Sequence, residues 1–383
     1  MKTVYFWSPC LDKVGTYWST INSAVAISKF SKKKFKVKIV NSCGEWDDQK
    51  IFFEENNIEV INLGFRYFNY LPKIGYWGSR ISYILIYLIS FFSLIKLLKK
   101  EKPEFFIAHL VTSLPLTIFN IINIKTKCIL RISGYPKLNN LRKFLWKISS
   151  KKLFKISCPT KDLKKQLLET SLFPEDKLFF LPDPIIRIRK FIDDLNSYEN
   201  KRNFKEKRSY FIAAGRLTKQ KNFDYLINEF NTFSQKNKHI DLYIFGEGEE
   251  KQNLDKKIKQ KKLSDRIFLK GYTNNIYAHM KNAEAFILSS LWEDPGFVII
   301  EAAFCNLFII SSNCKNGPKE FLLNGRAGIL FENNLKNALS NSLDKYLNME
   351  KDIKKMKILA KKESINYTLF RHFKVLNSIL LVN

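Results

Sequence analysis

Short apolar runs that alternate with helical patterns recur along most of this 383-residue chain. Strand-like runs occur at 4–7, 36–40, 58–63, 105–108, 128–132 and 154–157, and again near residues 210, 243, 267, 286 and 309. Strands that alternate with helices favour parallel sheets covered by helices, because each parallel connection needs a crossover. The pattern therefore predicts an α/β fold.

The length of the chain exceeds one ordinary hydrophobic core and fits two domains of about 150 to 200 residues. The alternation breaks between 183 and 208, where Pro184 and many charges leave few periodic apolar positions. We therefore predict an N-terminal domain at 1–185, a linker at 186–208 and a second domain at 209–365.

Two carboxylates, Glu293 and Glu301, bracket a predicted junction between a loop and a helix. The apolar run 285–288 predicts a buried strand, Asp294 and Pro295 predict an N-cap and a first helical position, and the residues from Phe297 onward predict a short apolar helix. Ligands of open α/β sheets bind outside the carboxyl ends of the strands, and helix N-termini favour phosphate. A nucleotide-diphosphate sugar has a suitable shape, although a chance pair is an open alternative because 36 residues are acidic.

A second element lies about eighty residues earlier, where a predicted strand ends in Gly215 and a loop carries Arg216 and Lys221. The planar guanidinium and the mobile ammonium together complement a diphosphate whose charge grows as it leaves. Either cation alone is equally compatible with a solvated side chain in a basic protein.

Taken together, Gly215-Arg216-Leu217 with Lys221, the segments 242–248 and 267–272, and the glutamate pair resemble the donor domain of the retaining GT-B glycosyltransferases of family 4, the group 1 glycosyl transferases. The resemblance covers about 209–331 and implies two Rossmann-like domains facing a central cleft. It also implies a last helix, within 366–383, that packs back on the first domain. One departure is Asp294-Pro295, where the family usually has a small residue and an aromatic one.

The resemblance also implies roles for single residues. Arg216 and Lys221 bind the diphosphate, Glu293 contacts hydroxyls of the donor sugar, and Glu301 contacts the ribose. The remaining donor-binding positions are Gly15, Gly215, Gly246, Gly296, Phe297 and Val298. The nucleotide sugar is a co-substrate, with a UDP-sugar favoured over a GDP-sugar, and no cofactor or metal is expected.

Candidate residues of the first half follow predicted strands. Gly15 lies in the turn after the first strand, which is glycine-rich in the family and approaches the donor, although an ordinary turn explains one glycine equally well. His109 ends the strand 105–108, and a histidine at this place in the family hydrogen-bonds the transferred sugar; a capped core residue is the alternative. Arg131 and Tyr135 follow another strand and are candidates for acceptor contact.

Charge and cysteine usage limit the partners and the compartment. A net charge of +29 suggests an anionic partner, but biased codon usage explains it equally well. The cations are scattered and no nucleic-acid-reading module is visible, so specific nucleic-acid binding is not expected. The six cysteines form no CxxC pair and no metal-ligand group with histidine, and residues 1–8 read as a strand rather than a signal peptide. We therefore expect a cytoplasmic protein.

An apolar segment at 81–95 has Arg80 on one side and Lys96, Lys99 and Lys100 on the other. It is shorter than the roughly 20 residues that a spanning helix needs. A buried helix and a helix in the membrane interface, at the inner face, are both open.

The sequence therefore predicts a metal-independent, retaining glycosyltransferase that moves a sugar from a nucleotide-diphosphate sugar to a glycan or lipid-linked acceptor in surface polysaccharide synthesis, such as lipopolysaccharide, capsule or O-antigen. A hydrolase acid–nucleophile pair is less suitable, since it gives Arg216 and Lys221 no role. A non-catalytic binding protein on the same scaffold and a nucleotide-sugar epimerase are the alternatives.

Overall fold

The computed structural model describes residues 1–72, 75–199 and 208–382. The chain divides into two compact units, which are Met1–Ile185 with Leu369–Asn383, and Ile186–Thr368. Each unit contains one parallel β-sheet with helices, so the predicted α/β class is confirmed.

The strands are β1 (Lys2–Trp7), β2 (Phe35–Asn41), β3 (Ile58–Asn62), β4 (Phe105–Ala108), β5 (Lys127–Arg131), β6 (Lys155–Cys158), β7 (Leu178–Phe180), β8 (Ser209–Ala214), β9 (Ile240–Phe245), β10 (Ile267–Gly271), β11 (Ala285–Leu288), β12 (Phe308–Ser312) and β13 (Ile329–Phe331). The α-helices are α1 (Gly15–Phe30), α2 (Lys50–Glu55), α3 (Gly75–Glu101), α4 (Ser113–Ile121), α5 (Asn140–Ser150), α6 (Lys161–Glu169), α7 (Ile188–Glu199), α8 (Phe223–Lys236), α9 (Lys251–Gln260), α10 (Ile276–Lys281), α11 (Phe297–Phe304), α12 (Pro318–Phe321), α13 (Ala338–Leu347), α14 (Ile353–Ser364) and α15 (Leu369–Leu380).

The first unit has a seven-stranded sheet in the order β3-β2-β1-β4-β5-β6-β7. Side chains of β1 alternate between two cores: Tyr5 and Trp7 lie in one cluster, and Val4 and Phe6 lie in the other. This alternation is expected for a strand buried on both faces. Helix α15 packs on α1 and contributes to the core cluster that contains Val4 and Phe6.

The second unit has a six-stranded sheet in the order β10-β9-β8-β11-β12-β13. In both sheets the strand order reverses near the middle, between β1 and β4 in the first unit and between β8 and β11 in the second. Loops that leave two such strands diverge to opposite faces and open a crevice at the carboxyl ends. The candidate residues that follow β4, β8 and β11 therefore lie at the carboxyl ends of the strands, where open α/β sheets bind ligands.

The region predicted as a linker, 186–208, differs from that prediction. Helix α7 occupies Ile188–Glu199 and belongs to the second unit, where Phe191 contacts the rings of Tyr277 and Phe304 at centroid distances of 5.1 and 4.8 Å. Arg189, Lys190 and Asp193 are exposed on α7, so part of the charge of this segment lies on the solvent side of a helix. Residues 200–207 of the predicted linker lie outside the described residues.

Helix α3 is longer than the predicted apolar segment, and it is only partly buried. By length and composition Trp77–Glu101 could cross a membrane, yet 28% of its most apolar stretch is buried in the first unit. Ile86, Leu94 and Leu98 belong to the core of that unit. One face of the helix is therefore packed, and the other is exposed.

Candidate functional site

Two loops meet at the carboxyl ends of β8 and β11, the neighbouring strands where the second sheet reverses its order. The side chain of Gln220 donates to the Trp292 carbonyl at 2.9 Å, and the Leu291 amide donates to the Gln220 carbonyl at 2.8 Å. The Ser289 hydroxyl donates to the Lys221 carbonyl at 2.8 Å. These bonds fix the loop that follows β8 against the loop that follows β11.

Glycines allow a third loop, after β9, to approach the loop after β8. A Cβ added to Gly246, which has φ +139°, would lie 1.9 Å from the Gly215 carbonyl oxygen. A Cβ on Gly248 would lie 2.4 Å from the Leu217 carbonyl oxygen. Neither backbone position can accept a side chain without movement, so the geometry explains both glycines by loop packing. Gly246, predicted to bind the donor, supports the loop that carries Arg216 and Lys221.

The predicted diphosphate and sugar ligands Lys221 and Glu293 form an ion pair with each other. Lys221 Nζ lies 2.5 Å from Glu293 Oε1, and Ser290 Oγ donates to the same carboxylate oxygen at 2.5 Å. Both charged side chains are largely buried, with 14% and 6% exposure. A buried charge needs such a partner, so each residue holds the other in place.

Arg216 lies in the same loop as Lys221, two residues after the end of β8, and its side chain is exposed. Lys221 ends the 3₁₀ turn Lys219–Lys221, and Asn222 then takes a left-handed conformation that leads into α8. The loop therefore presents one cation to solvent and one paired with a carboxylate.

The short apolar helix predicted from Phe297 onward is α11, but its predicted cap is wrong. Asp294 and Pro295 are not its N-cap and first residue; the N-cap is Gly296, which has φ +87°, and helical geometry begins at Phe297. The left-handed glycine separates Asp294 and Pro295 from the helix, and no side chain caps the first turn. Amide groups at an uncapped helix start are ready donors for an anion, and Gly296, Phe297 and Val298 lie at this position.

Glu301 lies on the second turn of α11 and accepts a hydrogen bond from the Tyr277 hydroxyl at 3.3 Å. Burial raises the pKa of Glu301 to about 7, while the Tyr277 hydrogen bond and the Lys190 charge partly oppose the shift. This carboxyl group therefore titrates near neutral pH. Sequence reasoning missed Tyr277 and Ser290, since neither residue type nor spacing connects them with the two glutamates.

In the first unit, His109 follows β4 at the reversal of the sheet and is buried, with 5% exposure. Its Nδ1 lies 3.0 Å from Thr20 Oγ1, and its Nε2 has no hydrogen-bond partner among the described residues. Burial, followed by the nearby Arg131 charge, holds the pKa of His109 well below its ordinary value. The neutral ring lines a pocket of about 560 Å³.

The other candidates of the first half differ in exposure. Arg131 is buried, where it forms an ion pair with Asp183 and donates to Ser19, although it also lines the pocket of His109. Its charge is thus neutralised within the unit, and its contact with an acceptor stays a prediction. Tyr135 is exposed, at 46%, and Gly15 is the first residue of α1, after a turn at Val14 without a side-chain cap.

Within residues 1–72, 75–199 and 208–382, no three His, Cys, Asp or Glu side chains are grouped so as to hold a metal ion.

Comparison with known proteins identifies the class. Residues 195–363 match the family model of the glycosyl transferases group 1. Two solved glycosyltransferase structures, 17% and 14% identical, align over 99% of the chain with TM-scores of 0.76 and 0.69. Residues 195–363 therefore match the group 1 glycosyltransferases, and the chain has the predicted GT-B fold.

Individual relatives are more distant. An uncharacterized glycosyltransferase of Methanocaldococcus jannaschii is 36% identical over 34% of each chain. An α-1,4-N-acetyl-D-galactosaminyltransferase of Campylobacter jejuni, whose name specifies a glycan on PP-undecaprenol, is 27% identical over 77% of each chain. The HepE protein of Anabaena is 12–13% identical in three solved structures, and its complex with UDP and glucose gives a TM-score of 0.74 over 99% of both chains. The aligned parts span only 27% to 42% of the length of the first curated relatives.

Proposed function

We propose that the protein is a retaining glycosyltransferase of family 4 that transfers a sugar from a nucleotide-diphosphate sugar, preferably a UDP-sugar, to a glycan or lipid-linked acceptor of a surface polysaccharide. The observation that carries the proposal is the buried Lys221–Glu293 pair at the reversal of the second sheet, beside the exposed Arg216. The group 1 family match supports it, and so do a relative named for a PP-undecaprenol glycan and a structural neighbour that binds UDP.

In the proposed reaction, the bond from the anomeric carbon to the diphosphate loosens and its electrons pass to the phosphate oxygen. Arg216 and Lys221 stabilise the negative charge that develops on that group. The acceptor hydroxyl attacks the same face of the sugar, and its proton passes to a phosphate oxygen, so the configuration is retained. The proposed reaction uses no metal ion, because Arg216 and Lys221 supply positive charge opposite the departing diphosphate, with Glu293 holding Lys221 in position.

The remaining residues have proposed binding roles. Glu293 accepts hydrogen bonds from hydroxyls of the donor sugar while it holds Lys221, and Glu301 accepts from the ribose. The uncapped start of α11 at Gly296 binds phosphate oxygens. We assign to His109 a hydrogen bond from its unpartnered ring nitrogen to the transferred sugar, and we place the enzyme in the cytoplasm.

The first prediction tests the cation of the loop after β8. Arg216→Ala should reduce sugar transfer from a UDP-sugar by about 10²- to 10³-fold, because the residue opposes charge that is largest in the transition state. The exposed Arg216 makes the substitution suitable, since it leaves the buried pair intact. Turnover is measured as release of UDP with an acceptor extract, in buffer with and without a metal chelator.

Lys219→Ala is the matched control, because Lys219 is an exposed cation of the same loop. Equal losses in both variants would indicate a general charge effect and contradict the assignment. Conversion of the donor sugar without acceptor would instead identify an epimerase. Loss of turnover in the chelator would contradict metal independence, and an inverted product would contradict retention.

A further inference from the structure

Helix α3 is apolar on its exposed face as well as on its packed face. The side chains on its exposed stripe are large and apolar, with exposures between 37% and 79%: Trp77, Ile81, Ile84, Leu85, Leu88 and Phe92. The opposite, packed face contains the buried residues Ser82 and Ser90 beside Ile86 and Leu94. In a helix that packs on a core and faces water, the apolar stripe is expected on the packed side. Six large apolar side chains on one exposed stripe indicate contact with an apolar medium.

A second exposed apolar stripe lies on α5. Leu141, Phe144 and Ile148, spaced by three and four residues, are exposed by 76%, 63% and 42%. Spacings of three and four place them on one helix face. The two stripes adjoin, because Ile84 of α3 and Leu141 of α5 line the same pocket of about 560 Å³, the pocket that contains His109. We call the stripes of α3 and α5 together the apolar face.

Cations border the apolar face. On α3 the exposed Lys96 and Lys99 continue the stripe beyond Phe92, at the spacing of one helical turn. On α5 the exposed residues Lys143 and Lys147 flank the apolar stripe. A second copy of this chain would bring like charges together around the contact, whereas an anionic lipid leaflet would attract them. Charge complementarity therefore favours a membrane over self-association.

We propose that the apolar face docks on an anionic lipid leaflet, with α3 lying in the plane of the interface rather than crossing the bilayer. The packed side of α3 supports this orientation, because Ile86, Leu94 and Leu98 are held in the core of the first unit. The pocket of His109 then opens beside the leaflet, where the polar head of a lipid-linked acceptor enters it. Docking on the leaflet does not depend on the proposed sugar transfer. The assignment of the His109 pocket to a lipid-linked acceptor rests on that proposed function.

Flotation of the full-length protein with vesicles tests the docking. We expect binding to vesicles of phosphatidylcholine with phosphatidylglycerol at low salt, and weaker binding at high salt or to phosphatidylcholine alone. Leu88→Glu with Phe92→Glu should lower the partition coefficient by about tenfold or more, as should Leu141→Glu with Phe144→Glu on the other stripe. Ile51→Glu is the matched control, since Ile51 is 74% exposed on α2 and should leave binding unchanged.

A second pair of variants separates position from net charge. Lys96→Glu with Lys99→Glu should reduce binding to the anionic vesicles, while Lys354→Glu with Lys355→Glu, an equal charge change at exposed positions of α14, should not. Equal losses in both pairs, or no flotation of the unmodified protein at low salt, would overturn the proposal. A lipid-free dimer that Leu88→Glu with Phe92→Glu dissociates would show that the face joins two copies instead.

Donor binding distinguishes this proposal from the proposed function. The variants of α3 and α5 should keep the thermal shift that a UDP-sugar produces, because these substitutions lie outside the second unit. That shift also shows that the variants are folded. Failure to float with an intact donor shift would reject the docking alone, and normal flotation without any donor shift would reject the glycosyltransferase.

Discussion

Glu301 combines a binding role with a pKa near 7, so the proposed ribose contact should depend on pH. Only the ionised carboxylate accepts hydrogen bonds from both ribose hydroxyls. The affinity for a UDP-sugar, whose diphosphate does not titrate in this range, should therefore rise as the pH increases through about 7. Calorimetry between about pH 6 and pH 8 measures the change, and Glu301→Gln should bind more weakly, by about 1.5–3 kcal/mol at the upper pH, with little pH dependence.

The contribution of Glu301 to the free energy of unfolding should fall over the pH range in which the affinity for the UDP-sugar rises. Because burial raises the pKa of Glu301 from 4.5 to about 7, the folded protein binds more protons than the unfolded chain between these values. The Glu301 contribution to stability therefore falls as the pH rises through this window. Relative to the unmodified protein, Glu301→Gln should gain thermal stability between about pH 5 and pH 8. A parallel pH dependence of the two proteins would show that Glu301 titrates normally.

The chemistry of the donor site could be predicted from single residues, but their pairing could not. Lys221 and Glu293 were identified by residue type beside predicted strand ends. Their ion pair joins positions 72 residues apart, and it depends on β8 and β11 being neighbours although two strands separate them in sequence. Local patterns do not contain that strand order. The same limit applies to Arg131, whose partner Asp183 lies 52 residues away.

At the scale of elements, glycines determine how closely the strand-end loops approach each other. Gly246→Ala should destabilise the protein by about 3 kcal/mol or more, because the new methyl group would lie 1.9 Å from the backbone carbonyl oxygen of Gly215. Gly325→Ala is the control: Gly325 has φ +92°, but its nearest neighbour would be 4.0 Å from the added Cβ. That control should cost only the backbone strain of about 1–2 kcal/mol. Chemical denaturation of both variants measures the difference, and equal losses would contradict a steric cause.

Strands that form continuous apolar runs in the sequence can be predicted. Elements that are very short, or whose ends depend on the backbone conformation of an adjacent residue, cannot. The strands from β1 to β6 and from β8 to β12 lie at or near the predicted runs because they are buried on both faces. The strands β7 and β13 have three residues each and are not predicted, since so short a run is not distinctive. The start of α11 depends on the left-handed Gly296, a conformation that Asp294-Pro295 did not indicate.

At the scale of the whole molecule, the chain leaves the first unit after Ile185 and returns to it at Leu369. The two crossing segments run side by side, because Ile186 and Thr368 form a parallel bridge and the Ile186 amide donates to the Tyr367 carbonyl at 3.0 Å. The core of the second unit consists of its own residues only, between Phe211 and Tyr346. Residues 186–368 thus form a continuous segment with a complete core and adjacent ends.

The two units should therefore behave differently when separated. A fragment of residues 186–368 should fold cooperatively and bind UDP, whereas residues 1–185 should not fold stably. The first unit would lack Leu369, Phe373, Leu376 and Leu380 of α15, which are buried in its core. Their burial contributes up to about 6–12 kcal/mol, at about 1.5–3 kcal/mol for each side chain, which is comparable to the stability of a whole domain. Joining residues 369–383 to residues 1–185 through a flexible linker should restore cooperative unfolding, and a stable 1–185 fragment would show that α15 is dispensable.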